Sequence, residues 1–413
     1  MTNIQYWLWL TLKKGITSSK ISSLLEVFET PEEVFSAEPD RLRAVPGLSK
    51  HDISRLTDRS MAVAEKVASD CRKHSIRILT FDSPYYPALL KEIYDPPYVL
   101  YARYKERIDL NEHLCLAMVG TRDCSDYGIT VAQQLSYDLA REGMTVVSGM
   151  ARGIDGAAAT GALRAGGVTV AVLGNGLDIC YPPEHAALME HIIEHGMLLS
   201  EYPPGSPPLS KHFLPRNRII TGLSQGTVVV EAPARSGALN SANWTCDHGR
   251  ELFVVPGDVT RPSAKGSNRL MVSGALPVLS AEDVLCVYQE RFCGLLETNR
   301  PEESKTRKDI APYPTSKTPV KEKVKSFLPA RKKAKEKTVT KQVPPPLPDI
   351  PLSETEKAVY RLLSYEPVHI DTLAEHGFPA ATLAATMTSL EIKGLVCALP
   401  GRQFCLPEPP PMP

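Results

Sequence analysis

The sequence predicts an α/β fold, a parallel sheet packed between helices. Six short apolar runs carry this reading: Leu116–Arg122, Met144–Gly153, Thr169–Gly176, Met197–Tyr202, Thr227–Ala232 and Glu251–Gly257. Almost every one ends in a glycine-bearing polar turn. Segments of helical length separate most of them, at Tyr127–Glu142, Asp155–Ala165, Glu184–Glu194 and Ala238–His248. Strands that alternate with helices form parallel sheets. The runs are continuously apolar rather than alternating, as strands buried on both faces must be. In such sheets a ligand binds beyond the carboxyl ends of the strands, where the Gly, Ser, Thr and Arg residues of this stretch fall.

A chain of 413 residues is too long for one core, so two or three domains are expected. Lys plus Arg and Asp plus Glu number 47 each. The chain therefore has no global field to draw it to nucleic acid or membrane, and any such attraction must be local. Nine cysteines without a CxxC pair suggest reduced thiols in a reducing compartment and no metal centre. No stretch is long enough to span a bilayer. The start, MTNIQYWLWLTLKKG, lacks the basic region and cleavage site of a secretory leader. A cytoplasmic location is the expectation.

Residues 1–65 read as short helices, with Tyr6, Trp7, Leu10 and Leu12, then Ile21, Leu24, Leu25, Val27 and Phe28, on an apolar face. Leu42-Arg-Ala-Val-Pro-Gly-Leu48 before Ile53 resembles a helix-hairpin-helix, whose turn can hold a DNA phosphate at a helix N-terminus. Ser49 replaces the usual second glycine, and an ordinary helical bundle is the alternative. From residue 66 the chain runs into strands at Ile76–Leu79 and Tyr98–Tyr101. Pro96 and Pro97 before the second suggest an edge strand.

The candidate site follows from the central turns. Gly120-Thr121-Arg122 ends a buried strand just before a helix. Backbone N–H groups, a hydroxyl and a guanidinium meet there, a suitable site for phosphate. Ser148-Gly149-Met-Ala-Arg152-Gly153-Ile-Asp155 repeats the design, with Asp155 a possible helix cap, and Gly174-Asn175-Gly176 is a third such turn. The spacing is neither GxGxxG nor GxxxxGK[ST], so neither dinucleotide binding nor a P-loop is supported. Lys211, Phe213, Arg216, Asn217 and Arg218 cluster within eight residues at a helix start. Cations there oppose the helix dipole, whereas cations with an aromatic suit an unpaired strand of nucleic acid. Ser236-Gly237 opens another helix with small donors.

These stretches together resemble the DNA-processing protein A family. The matching segments include DPPYVLYARY, MVGTRDCSDYG, VVSGMARGID, AVLGNGLDICYP, FLPRNRIITGLS and VVVEAPARSGALNSA, in order from roughly Phe81 to Leu285. The resemblance implies an extended Rossmann-like fold that binds single-stranded DNA and delivers it to the RecA recombinase during natural transformation. It also implies a homodimer formed through that domain. Carried over by position, it assigns DNA contact to Arg122, Ser148, Gly149, Lys211, Phe213, Arg216, Asn217, Arg218, Ser236 and Gly237, and the turn reading adds Gly120 and Thr121 to the candidate DNA-binding residues. Two departures bear on the DNA path. Ala159 stands where the family usually has histidine, and Pro183 where a basic residue often follows Tyr-Pro.

The Rossmann-like domain is expected over residues 66–290, followed by a linker at 291–351. Arg300 to Lys341 carries 14 Lys/Arg against 5 Asp/Glu, a net +9, and Pro344–Pro348 follows. Such composition stays disordered and adds salt-sensitive attraction for DNA. Residues 352–408 read as a winged helix. A capping box at Ser353–Glu356, a second helix from Ile370, a third over Ala381–Lys393 and a hairpin over Gly394–Leu406 support this. The third helix is poor in Arg and Lys, which argues against duplex binding through it and leaves partner binding as the alternative role. No set of residues assembles a catalytic or metal centre. The expected function is a non-enzymatic, cofactor-free mediator of recombination. The alternative is a nucleotide hydrolase or sensor using Glu231, near the expected ligand crevice.

Overall fold

The computed structural model describes residues 2–315 and, in the C-terminal unit, residues 352–363, 368–369, 373, 378, 380–393, 395–399 and 403–406. The chain divides into two units, Met1–Glu322 and Lys323–Pro413.

The first unit is built on a nine-stranded sheet. Its strands are β1 (Arg77–Thr80), β2 (Val99–Arg103), β3 (Cys115–Val119), β4 (Thr145–Ser148), β5 (Thr169–Leu173), β6 (Met197–Ser200), β7 (Gly226–Val229), β8 (Glu251–Val254) and β9 (Leu276–Pro277). Their order is β1-β2-β6-β5-β4-β3-β7-β8-β9. From β6 to β9 every pairing is parallel, while β1–β2 and β2–β6 are antiparallel. The sheet is thus mostly, not wholly, parallel. β2 is not the expected edge strand. It lies between β1 and β6, with Tyr101 opposite both Ile78 and Ser200.

Strand direction explains the two covered faces, because successive side chains alternate. Leu116, Met118, Val146 and Val228 pack with α8 (Asp126–Arg141), α9 (Ile154–Arg164) and α14 (Glu282–Asn299). Ala117, Val119, Val147 and Val229 face the other way, onto α7 (Ala88–Lys91), α11 (Ser210–Gly222) and α12 (Gly237–Asp247). Each fully buried Val or Leu contributes roughly 1.5–3 kcal/mol, so strands apolar on both faces anchor two layers at once. α10 (Ala186–His195) and α13 (Lys265–Val272) complete the order.

The N-terminal helices are α1 (Asn3–Thr11), α2 (Ser18–Val27), α3 (Pro31–Ser36), α4 (Pro39–Arg43), α5 (Lys50–Thr57) and α6 (Ala62–Lys73). Residues Tyr6 to Leu10 are all buried, because α1 packs against α3, α6 and the sheet. Trp7 stacks on Tyr98 at 5.9 Å. These helices therefore share one core with the sheet. Gly47, at φ 81°, turns the chain between α4 and α5. The Asp52 carboxylate accepts from Ser49 N–H at 2.9 Å, Ser49 Oγ at 2.7 Å and Lys20 Nζ at 2.8 Å. Asp52 thus sets a negative charge in the first turn of α5, where the helix dipole favours it.

The expected linker start at residue 291 falls inside α14. The chain beyond it stays on the body: Ile310 is buried, and Tyr313 bonds to Gln133, Gly153 and His185. The basic run beyond residue 315 lies outside the described residues.

In the second unit α15 (Glu354–Tyr360) and α16 (Ala380–Ile392) accompany β10 (Val368–His369), β11 (Cys397–Leu399) and β12 (Gln403–Cys405), ordered β10-β12-β11. Ser353 Oγ accepts from Glu356 N–H and Glu356 accepts from Ser353 N–H, a capping box. Glu356 also accepts from Ser389 Oγ and Lys393 Nζ, tying α15 to α16 and holding its carboxyl well below the usual range. β11 and β12 form the expected hairpin. Most of the helix expected from Ile370 lies outside the described residues.

Candidate functional site

The sheet reverses direction at β3. From there β4, β5 and β6 build to one side and β7 and β8 to the other. In doubly wound sheets this switch point opens a crevice beyond the strand ends. Here the crevice is a cleft of about 370 Å³, walled by the turns after β3, β4 and β7 and by α11.

Each wall has a local cause. Gly120 and Thr121 leave β3, with Thr121 N–H bound to Glu231 O at 2.7 Å. A Cβ on Gly120 would lie 2.4 Å from Ile154, so only glycine lets the β3 turn lie against α9. Arg122 emerges exposed at the rim. From the β7 side come Arg235, Ser236 and Gly237, with Ser236 Oγ accepting from Ala238 N–H to cap α12. From α11 come Phe213, Leu214, Arg216 and Asn217. Pro215 lies within α11 and supplies no N–H to the helix ladder.

The β4 turn is the tightest element. Met150 holds φ at 53° while buried, an uncommon conformation for a bulky residue. A Cβ on Gly149 would meet Asp155 Oδ2 at 2.6 Å and Arg216 Nη2 at 2.7 Å. Glycine thus lets a carboxylate and a guanidinium both close in where a side chain would stand. Gly149 N–H donates to Asp155 Oδ2 at 3.2 Å. Asp155 therefore braces this turn rather than capping α9, whose cap is Gly153. Burial raises the Asp155 pKa, opposed by Arg216. Burial pushes Arg216 down to about 10, opposed by Asp155, so it remains charged at neutral pH. Its Nη1 donates to Gly149 O at 3.1 Å and also to Val172 O.

Phe213 stands in a stack, with Arg122 over its ring at 5.2 Å, Arg216 at 6.0 Å and Tyr181 beside it at 5.5 Å. A second recess lies next to the cleft, lined by Arg122, Gly149, Arg152, Gly174, Tyr181 and Phe213 among others. Guanidinium groups, helix N-termini and stacked rings around an open crevice can hold phosphate oxygens and base faces together.

The structure brings most of the sequence-predicted residues to this place. Gly120, Thr121, Arg122, Phe213, Arg216, Asn217, Ser236 and Gly237 line the cleft, and Gly149 lines the recess. Three expected residues stand elsewhere. Ser148 is buried and its Oγ donates to Met118 O at 2.7 Å. Arg218 is buried on the far side of α11, paired with Glu201 at 2.7 Å and Asp95 at 3.0 Å. Lys211 is exposed in the first turn of α11 but lines neither cavity. Arg235 and Tyr181 join the site unpredicted. The signal was present, since both sit in glycine- or proline-bearing turns after strands.

Glu231 does not face the cleft as a free carboxylate. It accepts from Ser125 N–H at 3.0 Å and Ser125 Oγ at 2.9 Å, at the start of α8. Ala159 is buried in the core. An imidazole reaches this region from another element, with His185 against Gly156 one turn earlier on α9. Among the described residues, His191, Glu194 and His195 bring ligand-type atoms within 4.8 Å of one another on α10. Glu194 is also paired with Lys105 at 2.9 Å. No helix among the described residues is long and apolar enough to cross a membrane.

The profile of the family described as DNA recombination-mediator protein A matches residues 77–289, and that of the DprA winged helix domain matches residues 343–402. The chain is 38% identical over 285 residues to Protein Smf of Synechocystis, covering 68% of this chain and 71% of that protein. It is 39% identical over 226 residues to DNA processing protein DprA of Bacillus subtilis, covering 55% and 76%. The X-ray structure of DprA from Streptococcus pneumoniae aligns with a TM-score of 0.56 at 34% identity, covering 69% of this chain and 98% of that one. The first profile alone spans just over half of the chain, across the whole cleft, and the chain belongs to the DNA recombination-mediator protein A (DprA/Smf) family.

Proposed function

We propose that the cleft binds the phosphodiester backbone of single-stranded DNA, and that the protein mediates recombination by passing that strand to RecA during natural transformation. The observation that carries this reading is the convergence of Arg122, Arg216 and Arg235 on one open crevice with Phe213 between two of them. The guanidinium groups bind phosphate without sequence preference, and an aromatic platform favours unstacked bases. The relatives' names, DNA processing protein and recombination mediator, agree with it. A homodimer through this unit is part of the proposal. Val272, Leu276 and Leu279 are exposed apolar residues around edge strand β9, a surface that a second copy would cover.

The deciding experiment is fluorescence anisotropy with single-stranded and duplex oligonucleotides at matched salt. Tighter binding to the single strand is expected, and equal affinity overturns the reading. A non-enzymatic role is part of the proposal, supported by the engagement of the Glu231 carboxylate by Ser125 N–H and Oγ. Incubation with nucleoside monophosphates should release no free base. Release that disappears in Glu231→Gln would establish the hydrolase instead.

A further inference from the structure

Residues 300–313 lie beyond the segment matched to the family's main domain, yet they are fastened along the body. Arg300 pairs with Glu142. Arg141 Nη1 donates to Pro301 O at 3.4 Å and Glu302 O at 3.3 Å. Arg307 donates through its N–H to Arg164 O at 3.0 Å and through Nη1 to Leu163 O at 2.9 Å. The run ends at Tyr313, whose backbone exchanges two hydrogen bonds with the Gln133 side chain, at 2.7 and 3.3 Å. Its ring stands against Gly156, where a Cβ would lie 2.5 Å away.

The Tyr313 hydroxyl closes a chain of hydrogen bonds whose directions are all determined. Met150 O can only accept, so the His185 Nδ1 at 3.0 Å must carry the proton. Burial lowers the His185 pKa, and in the neutral ring Nε2 is then an acceptor. The Tyr313 O–H, 3.0 Å away, donates to it. The Tyr313 oxygen in turn accepts from Gly153 N–H at 3.1 Å. The relay runs Gly153 to Tyr313 to His185 to Met150. It pins both ends of the turn that contains Ala151, which lines the cleft and the recess. This turn holds Met150 at φ 53°, a conformation that needs outside support in a non-glycine residue, while Gly153 at φ 76° takes a conformation open to glycine alone.

We propose that Tyr313 is a positioning residue for the DNA-binding cleft. Held by the 300–313 strap, it fixes the Gly149–Gly153 turn in its binding shape. This rests on the reading of the cleft as the single-strand site. The strap is thus a working part of the binding domain.

The test uses the full chain with Tyr313→Phe, which keeps the ring and removes the hydroxyl, beside Tyr313→Ala and Arg122→Ala. Tyr313→Phe should lower single-strand affinity roughly three- to tenfold, as loss of a hydrogen bond does. Its salt dependence should be unchanged, because no phosphate contact is lost. In nitrogen NMR the His185 ring signals should shift, and the Gly153 amide should exchange faster. Tyr313→Ala should weaken binding further. Wild-type affinity and Gly153 protection in Tyr313→Phe would overturn the proposal. So would a loss of affinity that leaves the Gly153 amide and the His185 ring signals as in wild type, which would make Tyr313 a direct DNA contact. If Arg122→Ala also leaves affinity unchanged, the cleft reading fails. The amide and imidazole signals then still report whether Tyr313 orders the turn.

Discussion

The Arg122 guanidinium lies over the Phe213 ring, 5.2 Å from its centroid. One group comes from the turn after β3 and the other from α11, so their meeting defines the mouth of the cleft. Arg122 is exposed, and its charge is available at the rim. Arg122→Ala should weaken single-strand binding by about 1.5–3 kcal/mol, with the melting temperature nearly unchanged. Arg122→Lys should recover only part, because an ammonium cannot fork two bonds to one phosphate. Melting and binding measured on one preparation check this. Wild-type affinity with a lowered melting point would instead make Arg122 a structural residue.

Arg218 should behave in the opposite way. Its guanidinium is buried and shared by Glu201 and Asp95. Removing one partner of a buried ion pair leaves uncompensated charge and costs about 3–5 kcal/mol, less here because Asp95 is 41% exposed. Arg218→Ala should therefore melt well below wild type while the folded fraction binds DNA normally. A lost affinity at unchanged stability would return Arg218 to the binding surface.

The basic run should act through salt-sensitive attraction. Residues 317–341 hold ten Lys/Arg and two Asp/Glu. Deleting them, while keeping Tyr313, should lower affinity modestly and flatten its dependence on salt, because fewer counterions are released. The melting temperature of the first unit should not move. An unchanged slope would show that these charges only solvate the chain.

Asp52 gives a pH signature. Hydrogen bonds from Lys20 and Ser49 hold its carboxyl well below the usual range. A depressed carboxylate stabilises the fold above its unfolded value near 3.9, and that stability is lost as pH falls. Asp52→Asn should melt lower than wild type at pH 7, and the gap should narrow below about pH 4. A gap independent of pH would rule out the charge as its source.

Much of this protein was legible because its central strands are buried on both faces. Val146-Val147 and Val228-Val229 sit in short β-branched runs bounded by turn residues, which read as such strands, and the glycine turns after them marked the cleft. What failed has physical reasons. Arg216 and Arg218 are near neighbours in sequence, yet on a helix they point apart, and sequence alone does not say which faces the crevice. The Ser148 hydroxyl looked like a donor for a ligand, but a buried strand end uses it on Met118 O. Residues 300–313 looked like linker because few are apolar. They are held by backbone hydrogen bonds and by Ile310 and Tyr313, which composition averages away.

The course of α14 also governs where this chain can be cut. The match to the family's main domain ends at residue 289, inside a helix whose Tyr288 and Leu296 are buried on either side of that point. A fragment ending there would uncover the α8 face that Leu296 covers and leave a new apolar surface in water, an aggregation hazard. A fragment ending after Tyr313 keeps that face covered. Surveys of such proteins by matched segment alone would discard this stretch as tail, and fragments built on them would aggregate through the bared α8 face as well as lose the Tyr313 contacts to Gly153 and His185.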